Sequence, residues 1–231
     1  MNRFGDMDLS EFRKKMIGLN SGGNGFGESV YIKRLSMQRE KRFLISSVIT
    51  YALKTGTRIQ LSQQQIVDCS PNNGCSGGFF GATFRYIKQS GGLAYETSYP
   101  YVGTQQSCSL ESVEIGSIQG YGTTPNGNEE EMKRALSTYG PLAVGVYVTS
   151  DFQFYGPSQR AGTSDIIDIA SCPKTIDHAI AIVGYGTENG QDYWLVRNSW
   201  GTDWGLNGYF KIARNKDSMC GIATYGYYTQ V

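Results

Sequence analysis

The apolar pattern of this chain changes period partway along, and that change limits its fold more than any other feature. Before about residue 112 the patterned stretches have helical spacing. Asp8-Leu9-Ser10-Glu11 has the form of a capping box, and Phe12 and Met16 follow on one helical face. A helix is expected from about Phe43 to Leu53, where Lys54-Thr55-Gly56 supplies a glycine stop. Another is expected over Ala82 to Lys88, stopped by Ser90-Gly91-Gly92. Between the first two lies Asn20 to Gly27, a glycine-rich linker. After residue 112, short β-type runs take over: Leu142 to Val146, Ala179 to Val183, Tyr193 to Arg197 and Tyr209 to Ala213. A single helix interrupts them, Glu129 to Leu136, with acidic residues first and Lys133 and Arg134 last, as the helix dipole favours. Helices early and strands late predict an α+β chain with two packed subdomains.

Charge removes several functions. The net charge is +1 with both signs interspersed, which leaves no electrostatic footprint for nucleic acid or a membrane surface. No apolar stretch approaches the ~20 residues of a membrane span. Met1 opens directly onto polar Asn2-Arg3-Phe4-Gly5-Asp6, so no signal peptide is expected in this sequence. The five cysteines, Cys69, Cys75, Cys108, Cys172 and Cys220, form no C-x-x-C pair, and His178 is the only histidine, so no metal site is expected. The cysteines are either reduced core thiols or disulfides with one left over, and spacing does not choose between these.

His178 begins the apolar run Ala179-Ile180-Ala181-Ile182-Val183. In isolation, a histidine at the mouth of such a strand reads as a buried, hydrogen-bonded core residue. The segment Tyr193-Trp194-Leu195-Val196-Arg197-Asn198-Ser199-Trp200-Gly201-Thr202-Asp203-Trp204-Gly205 suggests more. An imidazole that moves protons needs a partner on its second nitrogen to fix tautomer and ring plane, and the Asn198 amide oxygen suits that task. A tryptophan beside the pair would exclude water and strengthen the hydrogen bond.

The N-S-W-G-T-D-W-G run, the D-H-A-I-A-I-V-G-Y-G run and L-S-Q-Q-Q-I-V-D-C-S followed by G-C-S-G-G resemble the papain and cathepsin family of cysteine peptidases, in the family's order over residues 61–208. Met219-Cys220-Gly221-Ile222-Ala223 is similar to the C-terminal part of cathepsin L-like members, and Asn2-Arg3-Phe4-Gly5-Asp6 resembles the core of the family's inhibitory propeptide. The resemblance implies a helical left domain and a β-barrel-like right domain with the active-site cleft between them. On that basis residues 1–27 are a propeptide remnant and linker, 28–122 the left domain and 123–231 the right. The resemblance makes His178 the general base and acid, Asn198 its orienter and Trp200 its shield, with Asp177 beside the histidine in the substrate-contacting set. Gly77 and Gly78 would pair with an extended peptide as a strand does. Phe79, Phe80, Ala179 and Tyr225 match the main specificity pocket, which favours a hydrophobic residue two places before the scissile bond. For Phe80, core packing fits nearly as well. Bridges Cys69–Cys108 and Cys172–Cys220 are implied. So are a peptide or protein substrate, possible protein inhibitors, a monomer, a lysosomal or extracellular setting, and no cofactor.

The nucleophile does not match. The family's signature C-G-[SA]-C-[WY] precedes the histidine and asparagine by about 130 to 150 residues, yet no cysteine occurs before Cys69. Anchored on Ala52-Leu53-Lys54-Thr55-Gly56, the position falls near Gln38, in Ser36-Met37-Gln38-Arg39-Glu40-Lys41-Arg42-Phe43. That stretch holds no Cys, no following Trp and no Q-G-x-C glutamine for the oxyanion. It also places Arg39, Lys41 and Arg42 where a helix N-terminus favours anions. The interval from Gly27 to Phe43 is too short for both the D-W-R and the Q-G-x-C-G-S-C-W blocks usual in the family, and the partner that the resemblance implies for Cys75 is gone with them. Three readings follow: a damaged copy of an active peptidase's catalytic segment, a non-catalytic homologue that binds peptides or inhibitors, or a serine such as Ser36 or Ser46 as substitute. The serine reading is weakest, since neither serine has the flanking tryptophan or glutamine.

Overall fold

The structure, a computed structural model, describes Gly56 and residues 59–113, 117–156 and 165–231. The helices expected near residues 8–16 and 43–53, the linker, and the segment around Gln38 lie outside the described residues. Three helices of two turns or more are described: α1 (Gln63–Cys69), α2 (Phe80–Ser90) and α3 (Glu129–Tyr139). A one-turn helix α4 spans Ser150–Gln153. Seven strands are described as one sheet: β1 (Gly120–Thr123), β2 (Leu142–Val146), β3 (Ile166–Ile167), β4 (His178–Glu188), β5 (Gln191–Arg197), β6 (Tyr209–Ala213) and β7 (Gly226–Gln230), in the order β1-β7-β2-β4-β5-β6-β3. Only β3 runs parallel to its neighbour, β6. The architecture is α+β, as the periodicity predicts.

Helix ends follow their capping chemistry. α2 exceeds the expected Ala82–Lys88 at both ends and stops where Gly91, in the left-handed region at φ 79°, turns its N–H back to Ile87 O. In α3 the Asn128 side chain accepts from Glu131 N–H, and three glutamates fill the first turn. α3 continues to Tyr139 instead of Leu136, so Lys133 and Arg134 lie mid-helix and not in the last turn. α1, which the sequence reading misses, is capped by Ser62 Oγ accepting from Gln65 N–H at 3.0 Å. It buries glutamines in place of an apolar stripe: Gln64 Oε1 accepts from Val102 N–H at 3.0 Å, and Gln65 Oε1 from Ala94 N–H at 2.7 Å.

β2 and β6 occupy the expected ranges, while β4 and β5 are longer because they continue into a hairpin. Asn189 (φ 51°) and Gly190 (φ 78°) form its two-residue loop, the positive-φ pair that matches strand twist. The apolar pattern of the sequence does not predict β1, β3 or β7.

β2 is fully buried, and its alternation divides the interior. Leu142, Val144 and Val146 join a large cluster with Trp194, Trp204, Phe152 and Phe210. Ala143 points the other way, into a cluster with Leu61, Ile66, Phe80, Phe84, Ile87 and Leu93. The boundary expected between residues 122 and 123 falls within β1. Cys69–Cys108 and Cys172–Cys220 are disulfides, and Cys75 is free.

One carboxylate organises the approach to β7. Glu129 Oε2 accepts from Trp194 Nε1–H at 2.9 Å and Asn215 N–H at 3.0 Å, and Oε1 from Ser218 N–H at 3.1 Å. These bonds hold a loop in which Asn215, Asp217, Ser218 and Cys220 all have positive φ.

Candidate active site

His178 is the first residue of β4, in register with Val146, and Asn198 follows the last residue of β5. The two strands pair from Ala181 and Arg197 onwards, which sets the two side chains at one end of the ladder. His178 Nε2 lies 2.9 Å from Asn198 Oδ1, and the same oxygen accepts from Ser199 N–H at 2.7 Å. An amide oxygen only accepts, so Nε2 carries the imidazole proton and Nδ1 keeps the ring lone pair. Asn198 is itself fixed by its N–H donating to Gly208 O at 2.9 Å.

Trp200 stacks on the imidazole with centroids 4.9 Å apart, and Trp204 braces it edge-on at 4.8 Å. Trp204 Nε1 donates to Phe152 O at 2.8 Å, which ties this aromatic pair to α4. His178 is only 3% exposed. Burial holds its pKa well below the usual histidine value, to about 4, against the opposing hydrogen bond to Asn198. The imidazole is therefore neutral at pH 7. Asp177, expected in the substrate-contacting set, anchors the turn after β2: its Oδ1 accepts from Val148 N–H at 2.9 Å.

The remaining expected residues divide in two. Phe80 is 4% exposed and packs against Tyr227 at 5.5 Å, inside the second core cluster, so it fills the core. Ala179 and Tyr225 border that cluster from above, partly exposed, together with Ile176 and Tyr227, which the sequence reading did not select. Phe79 is half-buried at the start of α2. Gly77, expected to pair with an extended peptide, lies in a tight turn. Its φ is 115°, its N–H donates to Gly74 O at 3.2 Å and its C=O accepts from Asn73 N–H at 3.0 Å, so both backbone groups are committed within their own turn. Gly78 is buried, and neither its N–H nor its C=O has a partner among the described residues.

Cys75 lies on the same loop as these glycines, its Sγ 4.0 Å from Gly103 O. Among the described residues no group of three or more His, Cys, Asp or Glu side chains could hold a metal ion. No helix among them is long and apolar enough to cross a membrane.

The family described as papain family cysteine protease matches residues 43–230. Cathepsin L of Sarcophaga peregrina is 44% identical over 185 residues, 77% of this chain but 52% of the relative, so the match spans about half of that protein. Cathepsin L2 of Homo sapiens is 37% identical across the whole chain and 77% of its own length. Among solved structures, a digestive procathepsin L 3 from the Tenebrio molitor larval midgut matches the whole chain and 82% of its own, at TM-score 0.78 and 31% identity. The bromelain protease of Ananas comosus, in complex with the E64 inhibitor, matches 81% of this chain and 87% of its own, at TM-score 0.72 and 33% identity.

Proposed function

This chain belongs to the papain family of cysteine proteases and is cathepsin L-like, and we propose that it keeps the proton-transfer half of the family's site without the nucleophilic half. The carrying observation is the cysteine inventory beside an assembled His178–Asn198 pair. Four of the five cysteines are bridged, the fifth sits on the Gly77–Gly78 loop against Gly103, and none precedes Cys69.

His178 can accept a proton at Nδ1 from a nucleophile on that side and return it to a leaving amine, while Nε2–H stays on Asn198. With no thiol to attack the carbonyl and no Q-G-x-C glutamine to steady the oxyanion, peptide-bond hydrolysis does not start. The surface around Phe79, Ala179 and Tyr225, with Phe80 beneath, suits a hydrophobic side chain of an extended peptide whose backbone lies along Gly78. The reading thus joins a helical left domain (28–122) to a β-rich right domain (123–231), working as a monomer on peptides or protein inhibitors. Two disulfides fit a lysosomal or extracellular setting.

One observation favours missing residues over divergence by substitution alone. The full-chain alignment to human cathepsin L2 takes 264 positions, which the 231 residues here cannot fill without gaps. The test has two arms. The purified protein is expected to leave a Phe-Arg-type fluorogenic substrate uncleaved and to take no epoxide label at an active-site thiol. A variant whose residues 28–42 are replaced by a relative's intact catalytic segment is expected to turn over. His178-dependent cleavage by the unmodified chain would overturn the reading.

A further inference from the structure

We infer that Asn72 is the positioning residue of the peptide-docking edge, fixing Gly78 for backbone pairing. This deepens the peptide-binding reading above and rests on it.

Asn72 sits six residues before Gly78, yet its side chain makes the contacts that shape the glycine turn. Its Oδ1 accepts from Phe79 N–H at 2.8 Å, and its Nδ2 donates to Thr83 Oγ1 at 2.9 Å and Ser70 Oγ at 3.1 Å. The amide therefore links the end of α1, the first turn of α2 and the residue just after Gly78. It also lies directly beneath that glycine: a Cβ at Gly78 would fall 2.5 Å from Asn72 Cγ. Asn73 N–H meanwhile donates to Gly77 O at 3.0 Å.

The backbone groups of residues 77–79 then divide into committed and open ones. Gly77 spends both groups inside its turn, Phe79 gives its N–H to Asn72 and its C=O to Thr83 N–H at 3.1 Å, and Gly78 alone keeps both groups without a partner among the described residues. A buried residue with an unmet donor and acceptor is a docking point for one residue of an extended chain, which can supply a C=O and an N–H at matching spacing. Asn72 enforces this by holding Phe79 N–H out of competition and supporting Gly78 from below.

The probe is a fluorescein-labelled hexapeptide with Leu-Arg at its centre, alongside the same peptide N-methylated at Leu, read by fluorescence anisotropy on the full chain. Wild type is expected to bind the first peptide about tenfold more tightly than the second, the loss of one hydrogen bond. Asn72→Ala is expected to weaken the unmodified peptide about tenfold and to leave the methylated one unchanged. Asn72→Asp, which keeps the acceptor for Phe79 N–H, recovers most of the loss. An equal loss on both peptides, or none on either, overturns the assignment to Asn72 while leaving peptide binding intact. Absence of binding to wild type overturns the peptide-binding reading and this one with it.

Discussion

His178 is the only histidine in the chain, which makes the imidazole unusually easy to interrogate. Its pKa of about 4 in the folded state arises from burial under Trp200, with the Asn198 hydrogen bond opposing it. In the unfolded chain the ring returns to its usual range near 6.5. The neutral ring therefore favours the fold fully above about pH 6.5. As pH falls towards 4, the unfolded chain gains a proton that the folded chain does not, and stability declines by about 3 kcal/mol from this group alone. Below 4 both forms are protonated and the loss stops. Urea titrations of wild type and His178→Gln should show this difference developing between pH 6.5 and 4. In proton NMR the single imidazole Cε1–H should titrate near 4, and a midpoint at or above 6.5 would show that the ring is not buried as described.

At the scale of elements, Glu129 is the residue whose loss should matter most, because it belongs to α3 but serves β5 and the loop before β7. Replacing it with alanine leaves three donors, Trp194 Nε1–H and the N–H groups of Asn215 and Ser218, without their acceptor. Glu129→Ala is expected to destabilise by about 3 kcal/mol or more, and Glu129→Gln by roughly half as much, since one acceptor oxygen survives. Chemical denaturation checks both, and an alanine variant within 1 kcal/mol of wild type would rule out this role. The same residue shows where sequence reading stops. As a first-turn glutamate it is legible as a dipole effect, but its reach of 89 residues to Ser218 is not. β2 and β6 were legible because each is a five-residue run rich in apolar residues beginning just after a turn signal. α1 was hidden because most of its buried side chains are glutamines, and β1 and β7 because they are short runs of Gly, Tyr, Thr and Gln without a hydrophobic period. The His178–Asn198 geometry followed from a motif. The internal commitment of Gly77 depends on a positive φ that its residue type permits but does not announce.

The molecule as a whole is held by two clusters that meet across β2 and by two disulfides, each expected to contribute about 2–5 kcal/mol. Peptide mapping without reduction should return Cys69 with Cys108, Cys172 with Cys220, and Cys75 carrying the alkylating reagent. Recovery of Cys75 in a bridge with Cys69 or Cys108 would contradict the assignment. The two bridges close rings of separation 39 and 48 along the chain, one ending before the other begins. In mechanical terms they are separate loops in series on a single thread. Drawn out by its ends, the chain would lengthen everywhere except within these two loops. Because neither loop encircles or overlaps the other, cutting one would release its own slack and leave the other loop's length untouched.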